Sequence, residues 1–76
     1  MGRLRVLSGR EACRILEQHG FREVRRRGSH IVMQRADPAS GTVTVPVPDH
    51  AELKIGTVLS IIRQSRMPRA AFEVEP

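Results

Sequence analysis

The sequence of 76 residues contains no tryptophan and no tyrosine, and its only aromatic residues are two phenylalanines. Proteins that bind single-stranded nucleic acid without sequence preference usually stack successive bases on aromatic side chains. Both Phe21 and Phe72 stand in apolar contexts that predict burial in the core. Passive binding of single strands by aromatic stacking is therefore disfavoured.

The single cysteine, Cys13, excludes an internal disulfide, and its helical context indicates a small core residue rather than a nucleophile. No apolar run approaches the roughly 18 residues of a membrane-spanning helix, and no signal peptide is visible. We therefore expect a cytoplasmic protein with no membrane partner. The three histidines are far apart and no HExxH or CxxC spacing occurs, so neither a metal site nor a cofactor is expected.

Lysine is nearly absent, since Lys54 is the only lysine among 13 basic residues. The other basic residues are arginines, and with eight acidic residues the formal net charge is +5. Five arginines and one acidic residue lie between Arg22 and Arg35. Because the planar guanidinium of arginine matches phosphate oxygens, this stretch predicts contact with a nucleic-acid backbone. A solvated basic surface without a ligand is the alternative interpretation.

The N-terminal part of the chain has the pattern of a helix with both ends marked. Ser8 and Glu11 have the spacing of a capping box, in which each side chain satisfies the backbone N–H of the other residue. Apolar residues then recur at helical spacing as far as Gly20. Glycine is suited to the left-handed conformation that ends many helices, so we expect the helix to end there.

Three strands are predicted next. The segments REVRRR and HIVMQR flank Gly28-Ser29, and a loop of two residues with glycine first is typical of a type II′ hairpin. Threonine and valine alternate in TVTVPV, which predicts buried valines and exposed threonines. Pro46 and Pro48 lack the N–H that a sheet ladder needs, so this third strand should lie at a sheet edge. Its threonine face is a candidate docking surface.

The segment GTVLSIIRQSRM predicts a second helix, with Thr57 as its N-cap. The apolar stripe of this helix comprises Val58, Ile61, Ile62 and Ser65. A short C-terminal helical turn should begin at Pro68. The predicted fold is α+β, a two-layer sandwich in which two helices cover one face of a three-stranded antiparallel sheet. Residues 1–76 are expected to form a single domain.

The tip of the predicted hairpin combines a histidine with several arginines. Arg27 and His30 flank the loop, so their Cβ atoms should lie about 4.5–5.5 Å apart. Histidine can transfer a proton near neutral pH, and Arg25, Arg26 and Arg27 can bind a phosphate and stabilise its negative charge. Cleavage of RNA by its own 2′-OH needs only these two functions and no metal. Alternatively, His30 is only a polar residue at the rim of the sheet.

Two features of this region stay open in the sequence. His30 shares one face of its strand with Val32, and Ile31 occupies the other face, so the apolar pattern does not decide which face is buried. His50 and Lys54 precede the second helix, where free backbone N–H groups form an anion-binding arrangement. A capped helix start with both side chains in solvent is the alternative.

The chain resembles the HicA (YcfA-like) family of toxins over nearly its whole length. The matching positions are Gly20-Phe21, Gly28-Ser29-His30, Pro46, His50, Leu53-Lys54, Gly56-Thr57, Ile61 and Gln64. The resemblance implies a fold like that of double-stranded-RNA-binding domains. It also implies metal-free, ribosome-independent cleavage of messenger RNA and neutralisation by a HicB antitoxin. The histidine of the hairpin is the catalytic residue of that family, which corresponds to His30.

The first hypothesis is therefore an endoribonuclease toxin in which His30 transfers protons and Gly28 and Ser29 shape the turn. The residues expected to bind the RNA backbone are Arg25, Arg26, Arg27 and Lys54. The expected partners are messenger RNA and an acidic HicB-like antitoxin that covers His30 and the basic face, with pairing to the proline-marked edge strand as an additional mode of contact. No DNA contact by this chain alone is expected. A non-catalytic module that binds duplex RNA by shape and phosphate contacts is the second hypothesis. The third is a protein-interaction domain with a basic rim.

Overall fold

A computed structural model describes residues 2–74 of the chain. The elements are α1 (Gly9–Glu17), β1 (Arg22–Arg27), β2 (His30–Asp37), β3 (Gly41–Pro48), α2 (Ile55–Ser65) and a 3-10 helix (Arg69–Phe72). The strands form one antiparallel sheet in the order β1-β2-β3. The predicted α+β architecture is confirmed, as are the position of β3 at an edge and the short C-terminal helical turn. Within residues 2–74, neither α1 nor α2 has the length and apolar character needed to cross a membrane.

α1 begins at the predicted capping box. The Ser8 hydroxyl accepts the backbone N–H of Glu11 at 3.0 Å, and the Glu11 carboxylate accepts the backbone N–H of Ser8 at 2.9 Å. This backbone hydrogen bond from Ser8 is the main reason why the pKa of Glu11 lies below its usual value. After α1 the chain reverses at Gly20, whose φ is +90°, and Phe21 enters the core. The sequence therefore predicted the start of α1 and the reversal at Gly20 correctly, although α1 itself ends at Glu17 with Gln18 as its C-cap.

The helices cover only one face of the sheet, although Val32 on the other face is also buried, with 4% of its surface exposed. Ile31 and Met33 of β2 lie in the core together with Val43, Val45 and Val47 of β3. Residues of both helices belong to the same cluster, so α1 and α2 cover this face. Because side chains alternate along a strand, His30, Val32 and Gln34 lie on the opposite face, which no helix covers. We call this second face the open face of the sheet.

Gly9 allows the start of α1 to pack directly on the end of β3. A Cβ atom at this position would overlap the carbonyl oxygen of Pro48. The Gly9 N–H donates to the His50 carbonyl at 2.9 Å, and the Leu53 N–H donates to the Leu7 carbonyl at 2.7 Å. These backbone contacts fix the segment that leads from β3 into α2.

α2 starts earlier than its sequence pattern predicts, and Thr57 is not the N-cap. Lys54 occupies that position in an extended conformation (φ −69°, ψ 152°), with no hydrogen bond from its side chain. Its carbonyl accepts the N–H groups of Thr57 and Val58 at 3.0 and 3.1 Å. The helix begins here because the preceding residue, Leu53, is already anchored in the core by burial and by its backbone hydrogen bond. Of the predicted stripe, Ile62 is only half-buried.

The two ends of the described region lie together, which the sequence pattern did not predict. Leu4 and Glu73 form an isolated antiparallel bridge. The Val74 N–H donates to the Arg3 carbonyl at 2.7 Å, and the Arg5 N–H donates to the carbonyl of Phe72 at 2.9 Å. Each segment alternates polar and apolar residues over four positions, RLRV and FEVE, but this short pattern does not identify which segment pairs with which. The bridge holds Phe72 fully buried in the core.

Candidate nucleic-acid interface

The β1–β2 hairpin holds His30 next to its tip. Arg27 and His30 pair directly across Gly28-Ser29, as predicted. Gly28 has a φ of +58° and Ser29 does not have a positive φ, which agrees with a type II′ turn. The Ser29 carbonyl accepts the N–H of Asp49 at 2.7 Å, so the turn is tied to the residue that follows β3. The exposed imidazole of His30 therefore stands on a backbone fixed from two sides.

The three consecutive arginines do not converge on one site. The strand register places Arg25 and Arg27 on the open face, where His30 also lies. Arg26 lies on the opposite face and donates to the Asp49 carboxylate at 3.0 Å. The structure thus brings Arg25 and Arg27 to the side of His30 and directs Arg26 away from it.

A bulge in β1 adds another arginine to the open face. The register shifts between Glu23 and Arg25, which leaves Val24 without a direct partner on β2. Beyond this bulge Arg22 pairs with Gln34, a residue of the open face. Arg22, Arg25 and Arg27 therefore form a row along the edge of that face. Sequence reasoning missed Arg22 because strict alternation along β1 assigns it to the opposite face.

Asp49 connects the hairpin with α1. Its carboxylate accepts hydrogen bonds from Arg26 at 3.0 Å and from Arg10 at 3.3 Å. The hydrogen bond from Arg26 is the main cause that lowers the pKa of the Asp49 carboxyl below its usual value. Both arginine side chains are substantially exposed, so the pair contributes little to overall stability. The effect of the ion pair is local, because the guanidinium of Arg26 is already bound to the Asp49 carboxylate.

His30 also lines a groove between β3 and α2, with a volume of about 400 Å³. That volume lies within the range of small-ligand sites in proteins. Pro46 and Pro48 border the groove on the β3 side, and the polar residues of α2 and its start that line it are Lys54, Thr57, Ser60 and Gln64. Lys54 was predicted from the sequence as a backbone-binding residue, and it shares this groove with His30.

A second depression of about 380 Å³ lies on the open face of the sheet. Its lining comprises Arg27, His30, Val32, Thr44 and Pro46. His30 and Pro46 belong to this depression and to the groove as well. A continuous concave path therefore runs from the open face, past the imidazole, to α2.

The other two histidines lie away from this path. The carbonyl of His50 accepts the Gly9 N–H, and His50 is not among the groove residues. His19 donates from Nδ1 to the Ile15 carbonyl at 3.1 Å and lines a separate cavity near the chain ends. In the region from residue 2 to residue 74, no three His, Cys, Asp or Glu side chains are close enough to hold a metal ion. His30 lies with two basic residues, Arg27 and Lys54, around two depressions that share it, whereas the cavity of His19 contains one, Arg5.

Arg35, which contributes to the basic stretch of the sequence, lies outside the site. Its guanidinium carbon is 4.9 Å from the centroid of the Phe21 ring, and its NH2 atom is 3.5 Å from the Ser65 carbonyl oxygen. Arg35 therefore stacks on an aromatic core residue and interacts with the last turn of α2. Its role is structural.

A sequence model of the HicA toxin of bacterial toxin–antitoxin systems matches residues 9–67, a range that contains α1, the whole sheet and α2. The chain belongs to the HicA toxin family. As a HicA-family protein it is the toxin of a toxin–antitoxin system, and its family implies an antitoxin as partner. No protein among the curated sequences matches it.

Seven of the 13 positions on which the HicA resemblance rests are dispersed in sequence and close in space. His30, Pro46, Lys54, Gly56, Thr57, Ile61 and Gln64 all line the groove. Sequence reasoning had assigned no role to Gln64, Ser60 or Pro48 beyond helix and edge-strand patterns. The signal that could have indicated the α2 wall is the spacing of Thr57, Ser60 and Gln64, which places three polar side chains on one side of a helix.

Proposed function

We propose that this HicA-family toxin is a metal-independent endoribonuclease that cleaves messenger RNA in the cytoplasm, with His30 as its general acid–base group. The observation that carries the proposal is the position of the exposed His30 imidazole between two connected depressions that also contain Arg27 and Lys54. A proton-transfer group and two cations around one concave site are the functions that transesterification of RNA requires.

In the proposed reaction the RNA supplies its own nucleophile. His30 accepts the proton of the 2′-OH, and the 2′-oxygen forms a bond to the adjacent phosphorus. The bond from phosphorus to the 5′-oxygen breaks, and this oxygen takes a proton from the imidazolium. The products are a 2′,3′-cyclic phosphate and a free 5′-OH, and His30 returns to its neutral form. One general acid–base group contributes on the order of 10²–10⁴ in rate.

The cations around His30 have separate roles in this proposal. Arg27 lies closest in register to the imidazole and stabilises the charge that develops on the phosphate oxygens. Arg22 and Arg25 extend the same row and bind the RNA backbone on the open face. Lys54 binds backbone on the α2 side of the groove. Gly28 and Ser29 shape the turn that holds His30, and Arg26 is left out of the RNA-binding set because Asp49 engages it.

The direct test compares wild type with His30→Ala under tight induction in cells, followed by growth and total messenger RNA. His50→Ala is the matched control, because it removes an exposed imidazole outside the groove. We expect growth arrest and RNA loss with wild type and His50→Ala, and neither with His30→Ala. Purified wild type should also cleave RNA in the presence of EDTA. RNA binding without cleavage, unaffected by His30→Ala, would instead support a non-catalytic RNA-binding module.

We also propose that the antitoxin is HicB-like and acidic, and that it binds over His30 and the arginine row. The net charge of +5 and the row of Arg22, Arg25 and Arg27 favour a partner surface rich in carboxylates. Pro46 and Pro48 lack N–H donors, so the part of the β3 edge beside the groove is poorly suited to pairing with another strand. Side chains of the antitoxin, rather than an added strand, would therefore cover the groove.

A further inference from the structure

We propose that the groove between β3 and α2 holds one unpaired base of the RNA substrate, and that Gln64 selects the base by hydrogen bonds to its edge. This inference rests on the proposed function and adds the determinant of the cleavage site. It concerns the α2 side of the groove, whereas the proposed chemistry takes place at His30.

The walls of the groove have complementary chemistry. Thr57, Ser60 and Gln64 lie at i, i+3 and i+7 of α2, so they form a polar row along one side of the helix. Pro46 and Pro48 provide apolar ring surfaces on the β3 side. A nucleobase has two apolar faces and a polar edge, so it can pack its face on the prolines while its edge meets the polar row. A phosphate alone would not use the apolar surface.

The polar row has unused hydrogen-bonding capacity. Gln64 is exposed, and among the residues from 2 to 74 neither its amide nor the Thr57 hydroxyl forms a side-chain hydrogen bond. The Ser60 hydroxyl accepts only a long hydrogen bond of 3.4 Å from Arg63. A glutamine amide presents an acceptor and a donor side by side and can therefore distinguish bases by their donor–acceptor pattern. A row of hydroxyls without Gln64 would be less selective.

The location of the groove favours an unstacked base over a duplex. His30 lines the groove, so a base bound there belongs to a nucleotide close to the phosphate that reacts. Sequence-specific recognition of RNA mainly targets splayed bases, because the major groove of an A-form duplex is too narrow for side chains to read. A base inserted beside His30 also requires a locally single-stranded substrate, which cleavage at an in-line 2′-OH favours.

The test maps the 5′ ends produced from a mixed RNA pool by wild type, Gln64→Ala and Gln64→Glu. Gln18→Ala is the matched control, since Gln18 is an exposed glutamine outside the groove. We expect wild type and Gln18→Ala to share a base preference at one fixed position beside the cut. Gln64→Ala should weaken that preference at least about fivefold. Gln64→Glu, which has only acceptors, should shift it towards guanine, whose adjacent N1–H and amino groups both donate when the base is unpaired.

A merely structural role of Gln64 predicts a different result, namely a uniform loss of rate with the same base preference. That result would overturn the inference, provided that the melting temperature of Gln64→Ala stays near that of wild type. A binding experiment distinguishes failure of this inference from failure of the proposed cleavage. It measures the affinity of the His30→Ala protein, with and without Gln64→Ala, for four homopolymeric RNA hexamers. If wild type cleaves nothing but Gln64→Ala abolishes a preference among the hexamers, the base site stands and the nuclease proposal fails. Equal affinities with and without Gln64 would overturn the base site.

Discussion

At the residue scale, neighbouring arginines of β1 have different electrostatic surroundings. Within the described residues, Arg25 and Arg27 take part in no ion pair, whereas Arg26 is paired with Asp49. A cation that already has a carboxylate partner gains little from a phosphate, because the exchange replaces one anion with another. Cations without a partner release counterions from RNA when they bind it. Because successive side chains of β1 lie on opposite faces, Arg25 and Arg27 are available to a phosphate whereas Arg26 is paired with Asp49.

This difference predicts that Arg27→Gln and Arg26→Gln affect RNA binding unequally. In a His30→Ala background, Arg27→Gln should make the slope of log affinity against log salt shallower by about one unit. Arg26→Gln should leave the slope unchanged and lower the melting temperature slightly, because the Asp49 pair is lost. Fluorescence anisotropy with a labelled RNA oligonucleotide between low and moderate salt measures both slopes. Equal changes in slope for the two variants would contradict the assignment of faces.

At the element scale, local hydrogen-bonding signals predicted the start of α1 and the hairpin turn, whereas the N-cap signal at Thr57 was wrong. The Ser8–Glu11 capping box and the Gly28-Ser29 turn are examples, and both were confirmed. The bulge at Val24 and the start of α2 at Ile55 were not predicted. These features depend on contacts between elements, such as the anchoring of Leu53, which no local pattern encodes. Catalytic and binding roles remain proposals, whereas the position of His30 at the hairpin follows directly from the sequence.

The groove was not predictable in the same way, because its two walls come from separate elements. Its shape depends on how β3 and α2 are placed relative to each other. The connection between them is fixed by the backbone contacts of Gly9 with the end of β3 and of Leu53 with Leu7. The sequence shows a glycine at the start of α1 but does not show what it touches. Only the packed structure shows that Gly9 contacts the end of β3 and the segment that leads into α2.

Gly9→Ala is therefore expected to destabilise the fold. The added Cβ would meet the Pro48 carbonyl, a backbone atom that cannot rotate away, and such overpacking costs about 1–3 kcal/mol of unfolding free energy. Gly56→Ala is the matched control, because no atom beyond its chain neighbours and the backbone of its own helix lies within 4 Å of the Cβ position there. It should stabilise the protein by about 0.4–1 kcal/mol by restricting the unfolded chain. Urea denaturation of both variants measures the difference, and equal midpoints would refute the close contact at Gly9.

At the scale of the whole molecule, the proposed RNA path and the chain ends occupy different parts of the surface. The row of Arg22, Arg25 and Arg27 leads past His30 to the groove. His19 lines a cavity with residues close to the ends of the described region, such as Val6 and Val74. An antitoxin that covers the RNA path would therefore block His30 and leave His19 accessible. The accessibility of His30 can therefore be compared with that of His19 in the same chain.

Modification by diethyl pyrocarbonate measures this comparison. In the free toxin both imidazoles are exposed, so both should react. In a complex with the proposed HicB-like antitoxin, His30 should be protected at least about tenfold relative to the free toxin, while His19 keeps its reactivity. Mass spectrometry of the digested complex quantifies each site. A stable complex in which His30 reacts as fast as in the free toxin would show that neutralisation does not require coverage of His30.

The bridge between Leu4 and Glu73 allows the elements of this fold to follow one another in a different order along the chain. Residues 3 and 74 are hydrogen-bonded neighbours, so a short linker can join them without displacing either. New ends can then be opened in the exposed turn at residues 38–40, between β2 and β3. In such a circular permutant His30 and the arginine row lie on one side of the former turn in the chain, and β3 and α2 lie on the other. The groove forms only when the two parts assemble. The toxin could thus be divided at that turn into two harmless halves that regain the site when they associate.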